Sequence, residues 1–286
     1  MVGVPVLVKA ALPVVPGVNL IPGIRKTGSE LPALSLTRHD VPVDPAHVAS
    51  YGALCGFPRK DTLPLPYPHL LAFGLHMQIM TDASFPFPAI GTVHLENSIT
   101  QHRPIALTEK LQVTARTDNL RAHAKGRVFD LLTTVHSAGE LVWEETSTFL
   151  RRGASTGSTT GTEAAAGTSF PDAPPTGTAW TLPADLGRRY ARVSGDHNPI
   201  HLYPVTAKAL GFSRQIAHGM WTMARCVGAL ENRLPDEVRV EVAFKKPVVL
   251  PGTVAFGSRP TDDGYAFSLS SPRSGAPHLA GRTVRG

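Results

Sequence analysis

Two apolar runs with almost no polar stripe stand out along the chain. One covers residues 215–230, QIAHGMWTMARCVGAL, and the other covers residues 67–80, YPHLLAFGLHMQIM. A helix that is apolar on nearly every side must be buried on most of its faces. The pattern therefore predicts two long helices, each at the centre of its own part of the chain.

Alternating patterns follow both helices. Residues 238–244, VRVEVAF, place apolar side chains on one side of a strand. Residues of high β-propensity bounded by turns predict further strands at 254–258 and 265–270, and, after the first helix, at 93–102, 111–118, 128–136 and 141–150. A buried helix followed by antiparallel strands indicates an α+β fold, in which a sheet curls around a central helix.

The two parts of the chain have the same order of elements, which predicts two diverged copies of one unit. Each has a short helix, a long apolar helix and then several strands. In the best-matched stretch Lys246-Pro247 falls over Arg103-Pro104, and Val254 falls over Leu111.

Residues 151–180 separate the copies and consist almost entirely of Gly, Ala, Ser, Thr and Pro. Such a segment has too little apolar surface to offset its ordering entropy, so we expect a flexible linker. The predicted organisation is an N-terminal half at residues 1–150, the linker at 151–180 and a C-terminal half at 181–286.

Composition excludes several classes of protein. The net charge is +6, but the basic residues are scattered and no basic run is interleaved with aromatics, so we expect no nucleic-acid partner. The apolar N-terminus is interrupted by Pro5, Lys9 and Pro13, which leaves runs too short to span a bilayer. We interpret it as an extended arm, and expect no membrane partner. Two cysteines and no metal-ligand spacing favour the reducing cytoplasm and no disulfide framework.

The two copies differ by an insertion at residues 195–215, which carries the candidate chemistry. Within its DHNPIH run, Pro199 keeps Asn198 out of the helical region, and the Asn198 side chain can close a turn. Such a turn can aim Asp196 and His201 at one point. A carboxylate and an imidazole together provide the acid and base that move a proton and a water. Asp196 alone could equally be a loop cap.

His218-Gly219 stands in the first turn of the second apolar helix. Backbone N–H groups are unpaired there, and the helix dipole favours negative charge. The amide of Gly219 could therefore stabilise an enolate oxygen that develops on a thioester carbonyl. We expect His218 to hold the neighbouring loop by a hydrogen bond.

The stretch YARVSGDHNPIHLYPVTAKALGFSRQIAHGM, residues 190–220, resembles the hydratase-2 motif of the MaoC-like family. The whole chain is similar to mycobacterial-type (3R)-hydroxyacyl-thioester dehydratases of fatty-acid metabolism, which have a double hot-dog fold. This resemblance implies that Asp196 and His201 form the catalytic dyad, that Gly219 supplies the oxyanion-hole amide, and that Asn198 orders the catalytic loop. Val227 stands where some bacterial hydratases of the family have a substrate-supporting serine.

The resemblance implies a lyase that interconverts trans-2-enoyl and (3R)-3-hydroxyacyl thioesters without a cofactor. We expect no metal, because Asp196, His197 and His201 lack further ligands to complete a shell. The N-terminal half lacks the dyad, so we expect it to hold the acyl chain, in a pocket lined by these residues: Leu71, Phe73, Leu75, Phe85 and Phe87. An acyl-CoA thioesterase and a non-catalytic acyl-thioester binding subunit are the alternatives. The sequence leaves open the carrier (coenzyme A or acyl carrier protein), the chain length, the direction and whether a homodimer forms.

Overall fold

The structure is a computed structural model, and it describes residues 29–89, 91–153, 169–174 and 177–286. The predicted N-terminal arm and most of the predicted linker lie outside the described residues.

Ten strands, five α-helices and two short 3₁₀ helices make up the described part of the chain. The helices are α1 (Pro45–Cys55), α2 (Pro68–Thr81), α3 (Leu186–Ser194), α4 (Pro204–Ala209) and α5 (Gly219–Leu230), and the 3₁₀ helices are Pro199–His201 and Glu231–Arg233. The strands are β1 (Ser35–Val41), β2 (Thr92–Gln101), β3 (Leu111–His123), β4 (Gly126–Ser137), β5 (Glu140–Arg152), β6 (Thr178–Leu182), β7 (Val238–Phe244), β8 (Gly252–Pro260), β9 (Gly264–Ser270) and β10 (Pro277–Arg285).

All ten strands form one sheet, in the order β1-β3-β4-β5-β2-β7-β10-β9-β8-β6. Read outward from the central pair β2 and β7, the two sides follow the same plan, with β1 and β6 at the edges. Leu111 begins β3 and Val254 lies in β8, the strands that correspond in this plan. The sheet therefore shows the internal duplication that the sequence predicts, with the halves joined by antiparallel pairing of β2 and β7.

The two long helices are the predicted central helices. Helix α2 packs against β3 and β4, and α5 packs against β9. Helix α5 begins at Gly219, later than its apolar run, because Ile216 bridges to Val249 and the Ala217 N–H donates to the Val248 carbonyl. The α+β double hot-dog prediction is confirmed, since each half wraps an antiparallel sheet around one long buried helix.

The predicted linker is too long at both ends. Strand β5 continues to Arg152, and β6 begins at Thr178 and pairs with β8. Trp180 explains the second difference: its ring stacks on Phe256 at 5.2 Å, and the Arg225 guanidinium lies 4.2 Å from its centre. One large side chain thus anchors a segment that looked too poor in apolar residues to fold.

None of the described helices is both long enough and apolar enough to cross a bilayer.

Candidate active site

The insertion folds as a tight turn after α3. The Asp196 carboxylate accepts the Asn198 N–H at 3.0 Å, and the Asn198 side-chain oxygen accepts the Ile200 N–H at 3.4 Å. Asn198 caps the 3₁₀ helix Pro199–His201 with extended backbone, as its position before a proline requires. The turn that the sequence predicts at Asn198 is present, and it brings His201 back toward Asp196.

His201 is buried, with a fixed ring orientation. Its Nδ1–H donates to the Ile216 carbonyl at 2.8 Å, which in the neutral ring leaves Nε2 unprotonated. Gly187 permits this packing, because a Cβ at that position would overlap the His201 carbonyl oxygen. The arrangement presents one basic nitrogen whose tautomer is set by the fold.

His218 supports the same turn from the other side. Its Nε2–H donates to the Asp196 backbone carbonyl at 3.0 Å, which is the loop contact that the sequence predicts. The ring also stacks on His201 with 3.7 Å between centroids, and Tyr190 packs at 4.8 Å. Donor atoms of Asp196, His201 and His218 all lie within 4.8 Å of one another. The sequence had not counted His218 as a third metal ligand, so the absence of a metal stays a prediction.

The local environment sets the charges of these groups. Burial raises the pKa of Asp196, but the His218 and His201 imidazoles and the Asn198 N–H outweigh it and leave the pKa below its usual value. Burial lowers the pKa of His201, and it lowers the pKa of His218 to about 3. At neutral pH the site therefore pairs a carboxylate with neutral imidazoles. The Asp196 side chain keeps 31% of its exposure because it opens into a cavity.

Gly219 opens α5 beside this group. The N–H of the first helical residue has no acceptor within its own helix, so it can point at a ligand oxygen. A Cβ on Gly219 would lie 3.2 Å from the Phe244 ring, which makes glycine the residue that fits here. Thr222, one turn further along, also lines the cavity, whereas Val227 is fully buried in the core.

A cavity of about 1040 Å³ connects this group to the N-terminal half. Of the five residues predicted to line the acyl pocket, Phe73 does so; Leu71 and Leu75 lie elsewhere on α2. Phe85 and Phe87 are also buried away from it, because they pack edge-on against one another in the core. The cavity instead follows one stripe of α2 and the strands facing it: Phe73, Met77, Met80, Val128, Phe149 and Leu150.

The sequence analysis missed three histidines in the same wall: His69, His76 and His94. His69 is hydrogen-bonded to buried Glu145, and the buried Nε2 of His94 has no hydrogen-bond partner. The spacing of His69 and His76, seven residues apart in an apolar run, was a signal of one shared helix face.

Comparison with known proteins agrees with this geometry. Residues 163–263 match the family described as "MaoC like domain". The 3-hydroxyacyl-thioester dehydratase X of Mycobacterium tuberculosis is 40% identical over 276 residues, 96% of this chain and 94% of that protein. The chain belongs to the MaoC-like dehydratase family.

Other members and neighbours agree with this membership. The crystal structure of HtdX of Mycobacterium tuberculosis has a TM-score of 0.79 and 38% identity, and covers 88% of this chain and all of that one. The (R)-specific enoyl-CoA hydratase of Aeromonas caviae is 36% identical over 63 residues, 21% of this chain and 47% of that protein. A Mycobacterium tuberculosis protein described as a double hot-dog fold has a TM-score of 0.53 at 13% identity, covering 89% of this chain and 96% of that one, which speaks for the fold alone.

Proposed function

We propose that the protein is a hydro-lyase that interconverts trans-2-enoyl and (3R)-3-hydroxyacyl thioesters in fatty-acid metabolism. The observation that carries the proposal is the convergence of the Asp196 carboxylate and the His201 imidazole within 4.8 Å, in a cavity that also contains the first residue of a buried helix. The family membership supports the same reaction.

In the hydration direction, the dyad would activate one water for attack on Cβ of the enoyl thioester and deliver a proton to Cα. The water oxygen forms the new C–O bond, its proton passes to the dyad, and the dyad returns a proton to Cα, so no electrons change hands. The Gly219 N–H would hold the thioester oxygen while it carries enolate charge. Asn198 and His218 would act as supports, because they bind Asp196 backbone or side-chain atoms and so fix the loop.

The N-terminal half would hold the acyl tail. The far part of the cavity is lined by Phe73, Met77, Met80 and Phe149, which offer apolar surface beyond the reacting carbons. Longer chains should therefore bind more tightly, by roughly 0.8 kcal/mol for each CH₂ that is fully buried.

An anionic carrier would fit the C-terminal mouth of the cavity, which includes Lys245, Lys246 and His278. Both the phosphates of coenzyme A and an acidic carrier protein offer that charge. We place the enzyme in the cytoplasm. A monomer already contains two hot-dog units, and a homodimer remains an alternative that mass measurement in solution distinguishes.

The test is a steady-state assay of the purified full chain with trans-2-enoyl-CoAs from four to sixteen carbons. We expect loss of enoyl absorbance, formation of the (3R) product by chiral analysis, and no free thiol. Release of free thiol would instead support a thioesterase, and tight binding without turnover would support a binding subunit. A kcat/KM that is flat across chain length would contradict the acyl-tail assignment alone.

A further inference from the structure

A buried ion pair lies in the cavity wall of the N-terminal half, which carries no counterpart of the dyad. Nδ1 of His69 lies 2.9 Å from both carboxylate oxygens of Glu145. The Asn97 side-chain amide donates to Glu145 at 2.6 Å, and the Glu145 side chain is fully buried. The pair is thus a closed structure on the side away from the cavity.

Such a pair is an unexpected wall for a hydrocarbon tail. Moving charges from water into a protein interior is expensive, and well-packed apolar residues of similar size often serve stability as well or better. Two apolar side chains at positions 69 and 145 would also suit a purely apolar ligand. The charges therefore call for a polar partner on the cavity side.

The remaining polar atom of His69 faces that side. Glu145 occupies Nδ1, so Nε2 is the nitrogen left for a ligand, and the side chain keeps 9% exposure while lining the cavity. The lining residues of α2 are His69, Phe73, His76, Met77 and Met80. At 1.5 Å per residue, His69 and Met80 are roughly 16 Å apart along the helix, so the wall changes from charged to apolar along its length.

The charged end of this stripe is the end near the dyad. Burial lowers the pKa of His69, but Glu145 and then Asp196 raise it, and the net effect is a pKa above the usual value. The influence is mutual, since His69 is among the groups that lower the pKa of Asp196. His69 therefore lies within electrostatic reach of the reacting group.

The other groups around His69 are neutral. His76 lies on the same helix with its Nε2 bonded to Thr133, and its pKa is lowered to about 3 by burial and by His69. His94, on β2, has its pKa lowered to about 3 by the same causes. The pKa of Tyr190, on α3, is raised by burial, so its hydroxyl keeps its proton. The charged groups of this region are thus His69, Glu145 and Asp196.

We propose that His69 is a third catalytic residue, contributed by the N-terminal half, whose Nε2–H donates a hydrogen bond to the water or 3-hydroxyl oxygen that Asp196 and His201 handle. Glu145 is the positioning residue that orients His69 and keeps it charged. His69 transfers no proton; it orients the oxygen and stabilises negative charge on it while the C–O bond forms or breaks. This inference rests on the proposed hydratase reaction.

The test compares His69→Gln, Glu145→Gln and the double variant H69Q/E145Q in full-length protein with a trans-2-enoyl-CoA. The double variant replaces the ion pair by two amides that can bond one another, so it separates loss of folding from loss of chemistry. The matched control is the exposed pair His102 and Glu144, 3.5 Å apart and 32% and 46% exposed, which neighbours Glu145 on the same strand. Thermal melting and circular dichroism verify folding of each variant.

We expect folded H69Q and the folded double variant to lose kcat by about 10- to 100-fold with KM within about threefold, as for loss of one charged hydrogen-bond donor. In E145Q the alkaline limb of the kcat profile should move to lower pH by at least one unit, because His69 then loses its proton more easily. His102→Gln and Glu144→Gln should move neither quantity.

A folded double variant with kcat within twofold of wild type, or an E145Q profile that does not move, would overturn the role of His69 while leaving the hydratase intact. If the wild-type protein hydrates no enoyl thioester, the proposed function itself fails, and this inference fails with it.

Discussion

Asp196→Asn is the substitution that separates chemistry from loop structure most cleanly. The Asn198 N–H donates to one carboxylate oxygen, and an amide oxygen can accept that bond in the same place. The backbone contacts are untouched: the Asp196 carbonyl accepts His218, and the Asp196 N–H donates to the Ser194 hydroxyl. The substitution therefore removes a charge and a proton acceptor while the turn is kept.

The expected magnitudes follow from these contacts. A hydrogen bond to a charged acceptor contributes about 1 kcal/mol more than one to a neutral acceptor, so the free energy of unfolding should fall by about that amount. For a chain of this size that lowers Tm by about 2 to 4 °C. Loss of a general acid–base group should lower kcat by about 10² to 10⁴, which is about 2.7 to 5.5 kcal/mol in the barrier.

The assay follows enoyl-CoA hydration by absorbance, beside a thermal melt of the same sample. The matched control is Asp263→Asn, which removes an exposed carboxylate that accepts a local hydrogen bond from Thr261. It should leave kcat unchanged. If folded Asp196→Asn kept more than a third of the wild-type kcat, Asp196 would not be the acid–base group and the assignment of the dyad would be wrong.

Three further predictions concern the rest of the site. The wild-type kcat/KM should fall in acid as His201 is protonated, with a midpoint below 6.5 because burial lowers its pKa; Asp196 opposes that shift, so in Asp196→Asn the midpoint should move lower still, and an upward move would contradict the geometry. His201→Ala should lower kcat by about 10² to 10⁴ at every pH, and retention of the acid limb in this variant would assign that limb to another group. Gly219→Ala brings a Cβ to 3.2 Å from Phe244, so kcat should fall about tenfold or more as the amide shifts while Tm changes little, and an unchanged kcat would remove Gly219 from the oxyanion site. Prolonged treatment with a chelator should leave activity intact; a loss that a divalent ion restores would identify Asp196, His201 and His218 as a metal site.

Much of the fold could be predicted because its signals are local. The two central helices and seven of the strands appear as apolar runs and alternation, and the duplication appears as a repeated order of elements. The strands that were missed, β1, β6 and β10, lack clear alternation of large apolar residues. They form because neighbouring strands supply backbone partners, and for β6 because Trp180 packs on Phe256.

The chemical group in the C-terminal half could also be predicted, since Asp196, Asn198 and His201 lie within six residues, and one turn brings them together. Short sequence separation makes such geometry readable from residue order alone. His218 is 22 residues from Asp196, and its contact with the Asp196 carbonyl depends on how α5 docks against the loop.

The N-terminal wall of the site depended entirely on tertiary structure. His69 and Glu145 are separated by 76 residues, and Asn97 comes from a third element. In the sequence each is one polar residue among apolar neighbours, and only the pairing of β2 with β5 under helix α2 makes them a buried charged cluster. The sequence by itself thus determined the two hot-dog units and the dyad, because those rest on local patterns. Tertiary packing alone decided which face of the second unit meets the dyad, because long-range contacts leave no periodic trace along the chain.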